Sequence, residues 1–164
     1  MLALLDRRHL RKGFSSGDVR VDAWLIHKAL GAMAKHTSTT RVLVDKTEAV
    51  RGYYTLAHTA LDVSFVPVEL FGGHAPRHAP PMLTLAWIGV DDTVRGRGIG
   101  TWLFARALGD CAEAYDQVRF VAVIVDALSE HNARFYREHG FLALPGTTNK
   151  LYLPATTLMR VVRG

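Results

Sequence analysis

Cysteine is nearly missing from this chain: Cys111 is the single one in 164 residues. One thiol excludes a disulfide framework within the chain and a thiolate metal cage. Ala105, Leu108, Ala112 and Ala114 surround it at helical spacing, which reads it as a small buried hydrophobe rather than a nucleophile. Long hydrophobic runs are missing too. Nothing approaches the ~20 apolar residues of a membrane-spanning helix, and residues 1–6 are too short for the apolar core of a secretion signal, so a cytoplasmic protein without membrane contact is expected. No repeat, low-complexity tract or linker breaks the chain, and residues 1–164 are expected to form one domain around a single core. The eight histidines are scattered, and His74 and His78 stand in a proline-rich stretch without partner ligands, so no metal is expected.

What is present is ordinary in bulk: 49% hydrophobic and 21% charged residues, the balance of a globular protein. The charge is mildly basic, +5, and fifteen of the twenty Lys and Arg residues are arginine. Guanidinium forks suit phosphate, so a polyanionic partner is permitted, although a GC-rich gene would leave the same bias. The cations are scattered apart from one cluster, residues 7–12.

The most informative stretch is LTLAWIGVDDTVRGRGIGTWL, residues 83–103. Its apolar opening reads as a buried strand. Asp91-Asp92 then reads as a turn leading into Arg95-Gly96-Arg97-Gly98-Ile99-Gly100. A helical pattern follows, with Trp102, Leu103, Ala105, Ala107 and Leu108 as its apolar face. Strand, glycine turn and helix start together make an anion site. Glycine permits positive φ and close approach, and the unpaired N–H groups of a first helical turn point at the ligand with the helix dipole behind them. The order is neither the Gly-x-x-x-x-Gly-Lys-Ser/Thr of nucleotide-triphosphate loops nor the Gly-x-Gly-x-x-Gly of dinucleotide folds.

Read from Arg95, the turn is Arg-x-x-Gly-x-Gly. It resembles the pyrophosphate motif of the GCN5-related N-acetyltransferases, the GNAT superfamily, which hold acetyl-coenzyme A. A second segment, VRFVAVIVDALSEHNARFYREHGF (residues 118–141), carries the family's later pattern. Residues 120–125 form a β-branched strand. Ser129 caps a short helix that Gly140 ends, and Phe135-Tyr136 with Gly140-Phe141 match the family's Phe-Tyr-x-x-x-Gly-Phe. The implied fold is α/β: a central mixed sheet of about six or seven strands with a splay between two parallel strands, flanked by about four helices.

The other segments are read residue by residue. Residues 2–14 should give a first strand and a turn. Asp18 or Ser16 caps a helix over 21–35, and 41–44 with 51–59 form a hairpin. Residues 61–81 form a loop with one helical turn near 68–71, residues 150–153 form a late strand, and 157–162 a further strand. Phe14-Ser15-Ser16-Gly17, Val21-Asp22-Ala23-Trp24-Leu25 and Arg51-Gly52-Tyr53-Tyr54-Thr55-Leu56-Ala57 resemble one GNAT branch, the toxins of type II toxin–antitoxin modules. Those enzymes acetylate the α-amine of aminoacyl-tRNA. Trp87 stands where that branch has an arginine, and Val21 where it has a leucine.

Acyl transfer from a thioester to an amine needs a neutral amine, a polarised carbonyl and a protonated leaving thiolate. Backbone N–H groups of Ile88, Gly89 and Val90 are placed to meet the acetyl carbonyl and pantetheine arm. Arg95, Gly96, Arg97, Gly98, Ile99, Gly100 and Thr101 are placed to meet the pyrophosphate. Tyr136 is the candidate general acid, because a phenol of pKa about 10 can supply a thiolate whose thiol has about 8.5; a core aromatic is the alternative. Ser129 sits where many GNATs carry an asparagine that touches the cofactor. Asn132, one turn before Tyr136, orients it, touches coenzyme A, or is merely solvated.

No strong general base is evident among Asp91, Asp92 and Glu130. That favours an α-amine (pKa about 7.7–8.0) over a lysine (about 10.4). The toxin resemblance implies aminoacyl-tRNA as the acceptor, an α-amine of this kind, with Arg7, Arg8, Arg11, Arg41, Arg51, Arg77 and Arg97 expected near its phosphates. Another amine (a protein N-terminus, a lysine or a small molecule) is the near alternative, and a non-catalytic acetyl-CoA-binding module the distant one. The resemblance further implies an antitoxin partner of the ribbon-helix-helix DNA-binding type and a homodimer.

Overall fold

A computed structural model describes residues 1–164, and seven strands run through it in the order β1-β2-β3-β4-β5-β7-β6. The chain divides into two compact units, residues 1–57 with 85–107, and residues 58–84 with 108–164.

The first unit opens on β1 (Leu2–Leu4), antiparallel to β2 (Thr39–Val44), which pairs in turn with β3 (Val50–Ala60). The hairpin register sets Arg41 opposite Tyr54 and slips by a bulge at Leu43/Val44. Between β1 and β2 lies one helical segment in three parts: α1 (Val19–Ala23), a π-helical turn (Trp24–Lys28) and α2 (Ala29–Ala34). Of the two expected caps, Asp18 is the one used. Its carboxylate accepts from Arg20 N–H, so the helix starts before Val21, while Ser16 Oγ donates to Asp22 Oδ1 at 2.6 Å. Val21, Leu25 and Ala29 are buried, as are Phe14, Tyr53 and Tyr54, and the Tyr53 hydroxyl donates to Val21 O at 2.6 Å.

Two glycines mark the closest approaches in this unit. A Cβ on Gly89 would stand 2.5 Å from Val21 Cγ1, and one on Gly52 2.6 Å from Leu103 Cδ1. Any side chain at either place would overlap its neighbour.

Strand β4 (Pro81–Val90) carries the organising motif, and the division between the units falls inside it, after Thr84. At its far end Asp91 N–H donates to Arg51 O at 2.8 Å, extending the pairing with β3. At its start, within the second unit, Pro81 O accepts from Val121 N–H at 2.9 Å, just before β5 (Ala122–Asp126). Strands β4 and β5 are the parallel pair of the mixed sheet. β5 pairs antiparallel with β7 (Lys150–Pro154), and β7 with β6 (Leu142–Ala143). Leu61, Val66, Met82, Ala122, Ile124 and Leu144 make one core cluster of the second unit, with Phe71 and Tyr152 packed against it.

Helix α3 (Ile99–Gln117) follows the glycine turn. Its buried face differs from the expected one. Leu103, Phe104, Ala107, Leu108, Cys111 and Ala112 are covered, whereas Trp102 is 45% exposed and Ala105 is exposed as well. At 3.6 residues per turn the stripe through Leu103 and Phe104 continues at 107, 108, 111 and 112, and Trp102 falls beside it. A second correction concerns residues 157–162, which form part of helix α5 (Ala155–Arg163), not a strand. Thr157, Val161 and Val162 have strand propensity, but burying Ala155 and Leu158 on one helical face decides the matter. Helix α4 (Glu130–Glu138) lies between β5 and β6, and no helix is long and apolar enough to cross a membrane.

Candidate active site

The turn from β4 to α3 begins with a buried carboxylate. Asp91 accepts from Ser15 N–H and Thr93 N–H, both at 3.0 Å, and from Thr93 Oγ1, with Arg51 Nη1 3.6 Å away. Burial alone would raise its pKa, but the hydrogen bonds from Thr93 and Ser15 and the Arg51 charge outweigh it, and the net direction is down. A carboxylate held ionised in this way is a poor proton acceptor and a good knot. It ties residue 15 and β3 to the turn, which then runs through a 3-10 turn at Asp92–Val94. Glu130, another base candidate, is ion-paired with Arg137 at 2.5 Å.

Beyond the knot, Gly96 and Gly98 take φ of +80° and +75°, a region that L side chains enter only at a cost. A Cβ on either would meet nothing within 4 Å, so backbone conformation, not crowding, requires glycine there. Gly100 differs. It is already helical, and a Cβ there would touch Val90 Cγ2 at an ordinary 3.6 Å. The protein itself therefore has room for a methyl group at Gly100.

The first intrahelical bond made across the turn is Trp102 N–H to Gly98 O, 3.0 Å. The N–H groups of Ile99, Gly100 and Thr101 precede it and head a helix of 19 residues. This cradle fits a pyrophosphate in kind: open space, bare backbone donors and the positive end of a dipole. Arg97 is exposed beside it. Arg95 is not directed there. Its guanidinium donates to Ser16 O and pairs with Asp92 Oδ1, so it clamps the loop before α1 onto the turn.

In the second unit, Ser129 is the N-cap of α4. Its Oγ accepts from Asn132 N–H at 3.1 Å and donates to Asn132 Oδ1 at the same distance. The two candidate cofactor contacts thus satisfy each other as a capping pair. Tyr136 lies on the same helix, 6% exposed. Its ring packs on Phe135 at 5.7 Å and Phe141 at 5.6 Å.

The spacing of the Phe-Tyr-x-x-x-Gly-Phe motif has a physical cause here. Gly140 takes φ of +95°. Phe141 N–H then donates to Tyr136 O and Gly140 N–H to Arg137 O, both at 3.1 Å. That is a Schellman cap, completed by the contact between the Tyr136 and Phe141 rings. Burial pushes the Tyr136 phenol up to about 12, helped by the charge of Asp126, so the hydroxyl keeps its proton throughout the neutral range.

Among the seven arginines expected near phosphates, Arg8, Arg11 and Arg51 are engaged inside the chain by contacts of known geometry. Arg8 pairs with Asp6 at 3.3 Å, Arg51 with Asp45 at 2.8 Å, and Arg11 donates to Leu25 O and Ile26 O at 3.3 and 3.2 Å. The last contact explains how the π-helical turn persists. Widening the turn so that Ala29 N–H reaches Trp24 O leaves carbonyls that a neighbouring donor must satisfy.

Sequence reasoning also missed a feature of the first unit. Trp24, read from sequence only as part of the helix over 21–35 and of the motif at residues 21–25, stacks on Trp87 with centroids 5.6 Å apart and planes at 16°. The pair borders an open cavity of about 490 Å3. The signal available was a tryptophan in each of two motif segments.

Comparison with known proteins gives four findings. Residues 37–142 match the model of the acetyltransferase (GNAT) domain family. A tRNA-acetylating toxin of Mycobacterium tuberculosis is 31% identical over 143 residues, which cover 85% of this chain and 81% of that protein. Among solved structures, AtaT complexed with acetyl-methionyl-tRNAfMet has a TM-score of 0.86 at 23% identity, covering 98% of both chains. A mutant AtaT toxin bound to the C-terminus of the antitoxin AtaR has a TM-score of 0.84 at 22% identity, covering 100% of this chain and 98% of the other.

Proposed function

Since the chain belongs to the GNAT acetyltransferase family, we propose that it transfers an acetyl group from acetyl-coenzyme A to the α-amine of aminoacyl-tRNA and thereby blocks translation, as the toxin of a type II toxin–antitoxin pair. The observation that carries the cofactor half is the glycine turn. Gly96 and Gly98 hold positive φ over open space in front of the bare first turn of a 19-residue helix. Gly96, Arg97, Gly98, Ile99, Gly100 and Thr101 hold the pyrophosphate, and Arg95 holds the turn's shape. Backbone N–H groups of Ile88, Gly89 and Val90 receive the acetyl carbonyl, Ser129 and Asn132 cap the helix that carries Tyr136, and Tyr136 protonates the departing sulfur.

Acetyl-coenzyme A supplies an acetyl thioester, whose C–S bond breaks as the new C–N bond forms. The amine nitrogen sheds its proton to solvent, the thiolate takes one from the Tyr136 hydroxyl, and solvent returns a proton to the Tyr136 phenolate. Solvent suffices as base because the α-amine of an amino-acid ester is more acidic than the free α-amine at about 7.7–8.0. The anchored Asp91 and the paired Glu130 support an acceptor of this kind, since neither is free to deprotonate a lysine. Residues 1–164 act as one acetyltransferase domain in the cytoplasm, as a homodimer, neutralised by an antitoxin that carries a ribbon-helix-helix DNA-binding part.

Purified protein with acetyl-labelled acetyl-coenzyme A and charged tRNA should place the label on the esterified amino acid. Mild base should then release an N-acetyl amino acid, and raising salt should suppress the reaction as phosphate contacts lose their counterion-release advantage. Equal labelling of uncharged tRNA, or faster acetylation of lysine peptides, would replace this acceptor with another amine.

A further inference from the structure

The cavity bordered by Trp24 and Trp87 has no part in the chemistry described so far. Val19, Arg20, Ala23, Trp24, Lys28 and Trp87 line it, so its walls are mainly aromatic and aliphatic and its rim is cationic. It is a built surface. The Trp24 indole N–H donates to Thr55 Oγ1 at 3.0 Å, and Thr55 Oγ1 shares a buried 2.7 Å bond with Thr40 Oγ1. With its one polar atom turned inward and satisfied, the ring offers only its π surface to the cavity. Trp87 stacks on it nearly parallel. The π-helical turn completes the arrangement, because Lys28 stands four residues after Trp24 and lines the same wall. Arg20 is held by Asp18 at 3.1 and 2.8 Å, whereas Lys28 pairs with no carboxylate and is exposed.

The position of the cavity on β4 indicates its ligand. Trp87 immediately precedes Ile88, the first residue assigned to the acetyl carbonyl, and shares a strand face with Gly89. An acceptor amine presented to residues 88–90 therefore brings whatever is attached to it past Trp87. On aminoacyl-tRNA the amine hangs from the terminal ribose of a single-stranded end, so a nucleobase follows within one sugar. Bases of single-stranded ends are held by stacking on aromatic rings, with cations beside their phosphates.

We propose, building on the acceptor reading above, that the Trp24–Trp87 cavity seats a nucleobase of the 3′ end of the acceptor tRNA, with Lys28 beside the flanking phosphate. The aromatic pair thus does by stacking what an arginine at position 87 would do by charge. It positions the tRNA end, not the cofactor.

The test compares two acceptors: charged tRNA, and the methyl ester of the same amino acid, which has no base. Trp87→Ala should lower kcat/KM for charged tRNA by about 5- to 150-fold, the worth of one base–aromatic stack, chiefly through KM. Trp87→Phe should recover most of the loss. The methyl ester rate and acetyl-coenzyme A affinity should not change. Equal losses on both acceptors would make the cavity a pocket for the amino-acid side chain, and no loss on either would make the stack structural; both results overturn the proposal.

A second readout is independent of turnover. A short single-stranded oligoribonucleotide should quench the intrinsic tryptophan fluorescence of the wild-type protein, and Lys28→Glu should weaken that quenching with all tryptophans still present. Absence of quenching in the wild type overturns the proposal. If the wild type acetylates no charged tRNA yet is quenched in the Lys28-dependent way, the acceptor reading fails and the base seat stands.

Discussion

Replacing Tyr136 by phenylalanine tests the acid step with the least disturbance. The ring keeps its contacts with Phe135 and Phe141 at 5.7 and 5.6 Å, including the one that completes the Schellman cap, and the cap's hydrogen bonds use only the backbone of residue 136. Folding should therefore survive, with the melting temperature within a few degrees of wild type. What is lost is a proton donor. Full transfer from a phenol near 12 to a thiolate of ordinary pKa about 8.5 is uphill by about 3.5 pH units, or ~5 kcal/mol.

The cost shrinks where the sulfur is also kept from water. Burial raises a thiol's pKa as it raises a phenol's. A proton shared between matched partners at the moment the C–S bond breaks is worth ~10²–10⁴-fold. Tyr136→Phe should lose that factor in kcat, read from thiol release with charged tRNA, while calorimetry finds acetyl-coenzyme A bound as before. The pH dependence follows from the direction of the shift. The active form of Tyr136 is protonated, and raising its pKa keeps that form present until near pH 12. Wild-type kcat/KM should therefore rise as the acceptor amine deprotonates and then stay level to about pH 10. Turnover within a few-fold of wild type would refute the acid role. An alkaline decline below pH 10 that the mutant lacks would refute the buried, proton-retaining environment.

Three further outcomes are expected. Gly100→Ala should leave stability unchanged or improve it by roughly 0.5–1 kcal/mol, as alanine does in helices, yet weaken acetyl-coenzyme A binding in calorimetry; unimpaired binding would move the pyrophosphate elsewhere. Gly89→Ala forces a methyl to within 2.5 Å of Val21 Cγ1 and 3.2 Å of Tyr53 Cε1, and overpacking of this kind should cost about 1–3 kcal/mol, seen as a lower urea midpoint. Asp91, held below the ordinary carboxylate value of about 3.9, contributes stability that is complete above that pH and is lost as pH falls through its native value; Asp91→Asn should destabilise by about 1–3 kcal/mol at neutral pH and flatten the acid limb of a urea-midpoint series, and an unchanged limb would show that other groups set it.

Much of the candidate site's local structure was legible because its parts are local. A glycine turn between strand and helix, or a capped helix closed by Gly140 and Phe141, is specified by residues a few positions apart, and the backbone has few ways to satisfy such spacings. The Tyr136–Phe141 contact is a case in point, since it follows from the cap alone. Asp91 as a turn residue was readable for the same reason, through its bond to Thr93 two positions on.

Other features needed the tertiary structure, because they depend on what comes to lie beside a residue. Nothing around Arg95 announces that it will clamp Ser16 O, seventy-nine positions away, or that Arg11 will satisfy the carbonyls of a π-helical turn. The buried stripe of α3 shifted away from Trp102, and residues 157–162 became helix instead of strand, because packing free energy exceeds the few tenths of a kcal/mol that separate local propensities. The stack of Trp24 on Trp87 joins residues from α1's neighbouring π turn and from β4, with the fold between them. Sequence alone determined which chemistry this chain is equipped for, through short-range patterns; only the tertiary structure decided which cations are already engaged and which aromatic rings face open space.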